Sequence, residues 1–145
     1  MSTTEPDINE LLRGEPFAVS RKSIREFCDA SLDYNPLHWD DEYMEGSFGK
    51  TNFGGIIMHG MNNFGVIMRM LTDWAYERGG DARRLETRWK SPVKPGDTIT
   101  PHGLIKATRR TEHSEWITIA VEVLNQNSDV IAVGEALIEL PDQQA

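Results

Sequence analysis

Several features are scarce or missing in this sequence, and each absence excludes a class of protein. Cys28 is the one cysteine among 145 residues, so the chain cannot form an internal disulfide. There is no signal-peptide pattern at the start and no run of 18 apolar residues, which predicts a cytoplasmic protein without a membrane partner. The phosphate-binding motifs GxxxxGKS/T and GxGxxG are also missing, so nothing indicates a nucleoside-triphosphate or dinucleotide fold.

Basic charge is in short supply and unevenly distributed. The net charge of −8 argues against nucleic acid as the main partner. Residues 78–110 nevertheless hold nine Lys or Arg and only three acids, so this segment carries +6 and the rest of the chain −14. A local basic surface on an acidic protein suits a small anionic ligand such as a nucleotide-like phosphate. The alternative is that these residues are ordinary solvated faces of strands.

The longest regular pattern runs from residue 59 to residue 78 and predicts one long helix. Its apolar residues recur at spacings of three and four, namely Met61, Phe64, Val66, Ile67, Met68, Met70, Leu71, Trp74 and Ala75. Because this stripe covers most of the circumference, we expect other elements to enclose the helix. Gly79 and Gly80 provide the left-handed stop. Gly60, at the positive end of the helix dipole, is suited to hold a developing oxyanion.

The remaining pattern predicts an α+β fold in one domain spanning residues 1–145. Ser20 is a suitable N-cap for a helix over residues 21–30, in which Cys28 is expected to be buried. Residues 8–12 are expected to form a short helical turn, and residues 1–7 and 142–145 to be flexible. Strands are predicted at residues 83–89, 98–110, 117–123 and 130–140. The last three form an antiparallel meander, so we expect a sheet wrapped around one buried helix.

The segment DYNPLHWD contains the first candidate chemistry. Asn35 before Pro36 favours a fixed, non-helical turn that can bring Asp33 and His38 together. A carboxylate and an imidazole held together can orient a water molecule and transfer protons near neutral pH. The alternative is a plain Asx turn with solvent-facing ends. A metal site with the acids at 40–42 is not favoured, because adjacent carboxylates diverge on a helix and no second histidine follows at ligand spacing.

Together with the long helix, the segments DYNPLHWD, FGGIIMHGM and RWKSPVKPGDT are similar to the MaoC-like dehydratase family. That family includes the (R)-specific 2-enoyl-CoA hydratases, and the resemblance covers residues 17–141. It implies the hot-dog fold, in which a curved antiparallel sheet wraps one long helix. It also implies a CoA or acyl-carrier thioester as the substrate.

The resemblance also implies roles for single residues. Asp33 and His38 match the catalytic pair, the Gly60 N–H matches the group that binds the thioester oxygen, and Asn35 supports the turn. Adding water to an α,β-unsaturated acyl thioester needs a base, an acid and an oxyanion donor, which these residues can supply without a metal or a cofactor beyond the CoA of the substrate. Met68 departs from the small polar residue of some short-chain hydratases, so the acyl-chain length stays open. The other histidines receive no catalytic role, His59 being expected to be packed and His102 and His113 exposed.

Two other functions remain open at this point. A hot-dog acyl-CoA thioesterase usually carries an acid on the central helix facing the thioester, but Asp73 and Glu77 lie late on the helix, far from Gly60. The second is a non-catalytic or partner-completing subunit of a hetero-oligomeric acyl-CoA hydratase. The presence of both Asp33 and His38 argues against it, because a purely structural subunit needs neither.

The sequence also predicts how the protein assembles and which residues bind CoA. One sheet covers one side of a helix, so Val66, Met70 and Trp74 are expected to need a second copy, and a homodimer or a higher hot-dog assembly follows. The basic segment is expected to bind the phosphates of CoA. Its candidate residues are Arg83, Arg84, Arg88, Lys90, Arg109 and Arg110.

Overall fold

The computed structural model describes residues 6–46 and 53–142. The expected flexible ends, residues 1–7 and 142–145, lie almost wholly outside these ranges. The described elements are β1 (Leu11–Arg13), β2 (Phe17–Ala18), α1 (Arg21–Ser31), a 3₁₀ turn (Pro36–His38), α2 (Asp41–Glu45), α3 (Gly60–Tyr76), β3 (Asp81–Trp89), β4 (Thr98–Arg110), β5 (Ser114–Leu124) and β6 (Val130–Pro141).

The strands form a six-stranded antiparallel sheet. Its order is β1-β4-β5-β6-β3, with β2 pairing separately with β4. The predicted meander of β4, β5 and β6 is confirmed. β3 does not pair with β4, the strand that follows it in the chain, but with β6, so that Trp89 lies opposite Ala132. β3 is therefore an edge strand nine residues long.

The core lies between one face of this sheet and α3. Every second residue of β4 and β5 faces inward, and the fully buried members include Ile99, Ile105, Ile117, Ile119 and Val123. From α3, Ile67, Leu71 and Ala75 pack onto this face and are almost completely buried. Gly103 permits the close approach, because a Cβ there would lie 3.0 Å from the Ile119 side chain and 3.4 Å from that of Met70. The expected architecture, a sheet packed around one long helix, is thus present.

The central helix is buried on a narrower face than its sequence suggests. Met61 is 61% exposed, and Phe64 and Met68 are only half-buried, whereas Met70 is buried within the single chain. Val66 and Trp74 also pack against the core. The expectation that Met70 needs a second copy for cover is therefore wrong, whereas Val66 and Trp74 are partly buried within the single chain. In the first turn of α3, Met61 is exposed and Asn63 is buried.

Local propensity also fails at the start of the chain. The helical turn expected over residues 8–12 is only partly present. Residues 8 and 9 lie in a turn, whereas β1 begins at Leu11, and its Leu12 pairs with Gly103 and is buried. The pairing with β4 overrides the weak local preference. Elsewhere the local signals hold. Ser20 and Ser23 form a capping box at α1, and Gly79 adopts φ +71° after α3. No helix in the described ranges is long and apolar enough to cross a membrane.

Candidate active site

A hydrogen-bonded turn positions the two residues of the DYNPLHWD segment. The Asp33 Oδ1 atom accepts the Asn35 N–H at 3.1 Å, and Asn35 Oδ1 accepts the Leu37 N–H at 3.2 Å. Pro36 then begins the 3₁₀ turn that ends at His38. The sequence left open whether this segment is an Asx turn or a catalytic pair. The structure shows that the Asx turn is what brings the two side chains together.

Asp33 and His38 face each other across a gap. The Asp33 Oδ2 atom lies 4.0 Å from His38 Nε2, a separation that one water molecule can bridge. His38 Nδ1 donates to the Ile57 carbonyl oxygen at 2.7 Å, so the neutral ring keeps its lone pair on Nε2, toward Asp33. The His38 ring is buried, whereas the Asp33 side chain is 52% exposed. The pair therefore has one fixed acceptor and one carboxylate that is open to a ligand.

His59 contacts both members of this pair. Its ring stacks on the His38 ring with centroids 3.6 Å apart, and its Nε2 donates to the Asp33 carbonyl oxygen at 3.1 Å. Its Nε2 also lies 4.0 Å from Asp33 Oδ2 and 3.7 Å from the Cys28 sulfur. Burial lowers the pKa of His59 and raises the pKa of the Cys28 thiol. The sequence identified His59 as packed but gave no sign of these contacts, because 26 residues separate His59 from Asp33.

The same three side chains form the one group in the described ranges whose donor atoms could surround a metal ion. The donors of Asp33, His38 and His59 all lie within 4.8 Å of one another. The argument that no second histidine reaches ligand spacing is therefore wrong, because the fold supplies His59. The geometry still favours proton transfer, because His59 Nε2 already donates to the Asp33 carbonyl oxygen and so offers no lone pair to a metal.

Gly60 begins α3 beside this cluster. Within residues 6–46 and 53–142, no backbone group accepts its N–H, which lies at the positive end of the helix dipole. A Cβ at this position would lie 2.7 Å from the Trp89 indole nitrogen and 2.9 Å from Cε2 of the same ring. Trp89 therefore occupies the space that a side chain at position 60 would need. The sequence indicated Gly60 but not the tryptophan that covers it.

A cavity of about 380 Å³ adjoins His38, His59, Gly60 and Trp89. Its lining combines the candidate site with apolar residues from the neighbouring loops, and includes Leu37, His38, Phe53, Met58, His59, Gly60, Asn63, Trp89, Lys90 and Val93. Asn63 is a polar residue in this lining whose side chain is buried. It is 3% exposed, and its Oδ1 has no hydrogen-bond partner among the described residues. Such a buried, unsatisfied polar atom costs roughly 1–3 kcal/mol of stability.

The candidate phosphate-binding residues do not lie together. Lys90 lines the cavity, whereas Arg88 borders a separate cleft of about 630 Å³. The remaining candidates lie at the other end of the sheet, in the register of Asp81, and are Arg83, Arg84, Arg109 and Arg110. Arg83 pairs with Glu139 at 2.7 Å, and Arg84 pairs with Glu86. Within one chain, Lys90 is thus the member of the set that adjoins His38 and Gly60.

The acids considered for a thioesterase lie away from the cavity. Asp73 is exposed near the end of α3 and pairs with Arg69 at 3.7 Å. Glu77 follows the last helical residue, nearly five turns from Gly60 by the 3.6-residue period. Neither carboxylate can face a thioester held at Gly60 of the same chain.

Comparison with known proteins identifies the family of this chain. The family model for the MaoC like domain matches residues 4–127. The chain belongs to this family. A 3-hydroxyacyl-[acyl-carrier-protein] dehydratase of Arabidopsis thaliana mitochondria is 28% identical over 97% of this chain and 81% of its own length. An (R)-specific enoyl-CoA hydratase of Rhodospirillum rubrum is 27% identical, with coverage of 85% and 81%. A probable dehydratase of Ajellomyces capsulatus is 33% identical over 77% of this chain, which spans only 30% of that protein.

The solved structures that resemble this MaoC-like chain establish the fold. The (R)-hydratase from A. caviae involved in PHA biosynthesis superposes with a TM-score of 0.81, at 24% identity, over 96% of this chain and 100% of its own. The likeness confirms the predicted hot-dog fold.

Proposed function

We propose that this MaoC-like protein reversibly adds water to the double bond of an α,β-unsaturated acyl-CoA thioester. The observation that supports this most directly is the placement of Asp33 and His38 across a 4.0 Å gap, with His38 lining the same cavity as Gly60, whose N–H is open. The relative from Rhodospirillum rubrum is named for an enoyl-CoA, and the one from Arabidopsis for a carrier-bound acyl group. Lys90 at the cavity supports CoA, whose phosphates it can pair with.

The proposed chemistry follows from the atoms that face the cavity. A water molecule between Asp33 Oδ2 and His38 Nε2 is within reach of both, and one of the two takes its proton as the oxygen attacks the β-carbon. The other must carry a proton when the substrate binds and delivers that proton to the α-carbon, after which the proton taken from water passes to it and restores the pair. In the meantime the thioester oxygen carries enolate charge, which the Gly60 N–H stabilises. One donor of this kind is typically worth about 10²–10³ in rate.

We further propose that the protein acts as a homodimer. β3 is an edge strand nine residues long, and an open edge of this length offers its unpaired backbone groups to another strand. Met61 is exposed in the first turn of α3, beside the cavity, and would gain cover from a second copy. Sedimentation velocity at micromolar concentration should show a dimer, and a monomer at every concentration tested would contradict this assembly.

Hydration assays test the activity. The wild-type protein should hydrate crotonyl-CoA or a longer 2-enoyl-CoA, and Asp33→Asn and His38→Gln should each lose about 10²–10⁴ in turnover, the range for a positioned acid or base. Thermal melts should show that both variants remain folded. If either variant keeps near-wild-type rates on every enoyl-CoA tested, the proposed mechanism is wrong.

The same assays separate the alternatives. A thioesterase would release free CoA thiol, which a thiol reagent detects, whereas a hydratase consumes the double bond and releases none. A non-catalytic subunit would show neither reaction when purified alone. The position of Asp73 and Glu77 away from the cavity makes hydration the expected outcome.

A further inference from the structure

We propose that the indole N–H of Trp89 is a second donor to the thioester oxygen that the Gly60 N–H holds. This inference rests on the proposed hydratase function and deepens it, because it names a further residue that stabilises the enolate charge. Neither the turn from Asp33 to His38 nor the proposed proton transfers make use of Trp89.

The nitrogen-bearing edge of the indole lies against Gly60. A Cβ at Gly60 would lie 2.7 Å from Trp89 Nε1, 2.9 Å from Cε2 and 3.3 Å from Cζ2, and these three atoms form one edge of the ring. Both residues line the same cavity as His38. The polar part of the indole therefore adjoins the group that is proposed to hold the oxygen.

The two donors are close enough to share one oxygen atom. A Cβ lies about 2.5 Å from the nitrogen of its own residue, so Trp89 Nε1 is no more than about 5.2 Å from the Gly60 nitrogen. An oxygen that is about 2.9 Å from each of two donors allows these donors to be up to about 5.8 Å apart. One thioester oxygen in the cavity can thus accept both N–H groups.

The Trp89 N–H is available to a ligand. Its nitrogen has no hydrogen-bond partner among the described residues, and the side chain is 45% exposed. The Trp39 indole is similarly exposed, but it donates to the Tyr34 carbonyl oxygen at 2.7 Å. The pairing of Trp89 with Ala132 in β6 fixes its backbone in the sheet. A donor that is held in place and left open costs little reorganisation when charge develops nearby.

The effect of this donor should appear in kcat rather than in KM. The thioester oxygen carries more negative charge in the enolate-like transition state than in the bound substrate, so a hydrogen bond to it strengthens as the reaction proceeds. One oxyanion donor is typically worth about 10²–10³ in rate. Because the indole is 45% exposed and water weakens its electrostatic effect, we expect a contribution of about tenfold.

The first experiment removes the N–H and keeps an aromatic ring. Trp89→Phe should lower kcat for crotonyl-CoA, or for a longer 2-enoyl-CoA, by about tenfold and change KM by less than about twofold. Trp116→Phe is the matched control, because Trp116 lies opposite Arg109 at the far end of the sheet and does not line the cavity. Its kcat should equal that of the wild type.

The second experiment measures the stabilisation of an enolate without any hydration. Acetoacetyl-CoA already carries a 3-keto group, so the hydratase leaves it unchanged, and its enolate is visible by ultraviolet absorption. Donors at the thioester oxygen favour the enolate and lower the pH at which the bound ligand ionises. A tenfold loss of this stabilisation equals one pKa unit, so the apparent pKa of bound acetoacetyl-CoA should be about one unit higher in Trp89→Phe than in the wild type or Trp116→Phe.

Three results would overturn the inference. An unchanged pKa of the bound ligand in Trp89→Phe would show that the indole N–H does not reach the oxygen. A higher KM at unchanged kcat would mean that the indole only binds the substrate. A clearly lower melting temperature, or the loss of an assembly that the wild type forms, would assign the ring to structure. A wild-type protein that hydrates no enoyl-CoA would instead contradict the proposed function itself.

Discussion

The imidazole ring of His59 lies against the ring of His38, with centroids 3.6 Å and planes 19° apart. His59 also donates a hydrogen bond to the Asp33 carbonyl oxygen at 3.1 Å and immediately precedes Gly60. One buried side chain therefore adjoins all three groups of the proposed mechanism. Because a misplacement of about 1 Å can cost 10²-fold in rate, we infer that His59 is a positioning residue.

The first prediction concerns this positioning. His59→Phe keeps an aromatic ring for the stack but lacks the N–H that holds Asp33. We expect kcat to fall by about 10–100-fold, with KM little changed, because the substrate contacts remain. His113→Phe is the control, since His113 is exposed at the turn before β5. A kcat for His59→Phe equal to that of the control would show that the hydrogen bond to Asp33 does not matter.

The second prediction concerns acid stability. Burial holds the pKa of His59 below its ordinary value of about 6.5, so protonation favours the unfolded chain. The stability from neutral His59 is then fully present above about pH 6.5 and is lost as the pH falls below that value. The groups that face it are His38, the Asp33 carboxylate and Cys28.

His59→Phe removes this titration and leaves the facing groups in place. Urea unfolding of the two proteins between pH 5 and pH 7.5 measures the difference. The wild type should lose more stability than the variant on acidification. Parallel curves would mean that His59 is protonated equally in the folded and unfolded states.

Hydrophobic periodicity and turn-forming residues predicted those elements whose formation depends on residues close together in the sequence. The apolar spacing in residues 59–78 located α3, and alternation located β4, β5 and β6. The proline-containing turn from Asp33 to His38 has its cause within six residues, so the sequence alone indicated that the two side chains can come together, beside the alternative of a plain Asx turn. The resemblance to MaoC-like proteins then supplied the hot-dog fold.

The rest depends on contacts between distant segments, which no local pattern encodes. The pairing of β3 with β6 joins Trp89 to Ala132, and the stack joins His38 to His59. The same pairing places Trp89 over Gly60 and Lys90 at the cavity. The charge pattern alone therefore predicted one phosphate-binding set of six basic residues, but the sheet places these residues apart from one another.

The third prediction uses two glycines of the same helix. Gly60→Ala puts a methyl group 2.7 Å from the Trp89 indole nitrogen, so α3 or Trp89 must shift. We expect a loss of about 10²–10³ in turnover as the oxyanion donor moves. Gly65→Ala is the matched control, because nothing lies within 4 Å of its added Cβ. It should gain about 1 kcal/mol in unfolding free energy at unchanged turnover. Equal turnover in the two variants would contradict the role of Gly60.

The fourth prediction tests which face of α3 is buried. Leu71 is fully buried against the sheet, so Leu71→Ala should cost about 2–5 kcal/mol of unfolding free energy. Tyr76 is the last residue of the same helix but is 83% exposed, so Tyr76→Ala should change stability by no more than about 0.5 kcal/mol. Denaturant titrations measure both values. Similar costs at the two positions would show that the helix is enclosed all round, as its sequence alone suggests.

The fifth prediction concerns the charged end of the substrate. Lys90 lines the cavity, whereas Arg109 lies at the opposite end of the sheet with the same exposed, basic character. If Lys90 pairs with a CoA phosphate, Lys90→Glu should raise KM for an enoyl-CoA by about 2–5-fold, the range for an exposed ion pair, and change kcat less.

Arg109→Glu makes the same change in charge far from the cavity and should leave KM close to that of the wild type. The wild-type KM should also rise with ionic strength, because salt screens phosphate contacts, while KM for a pantetheine thioester without phosphates should not. If Lys90→Glu and Arg109→Glu raise KM equally, Lys90 makes no specific contact with a phosphate, and the whole basic segment attracts CoA at long range. A KM independent of both salt and Lys90 would show that CoA phosphates do not bind here, and that these residues are an ordinary solvated surface.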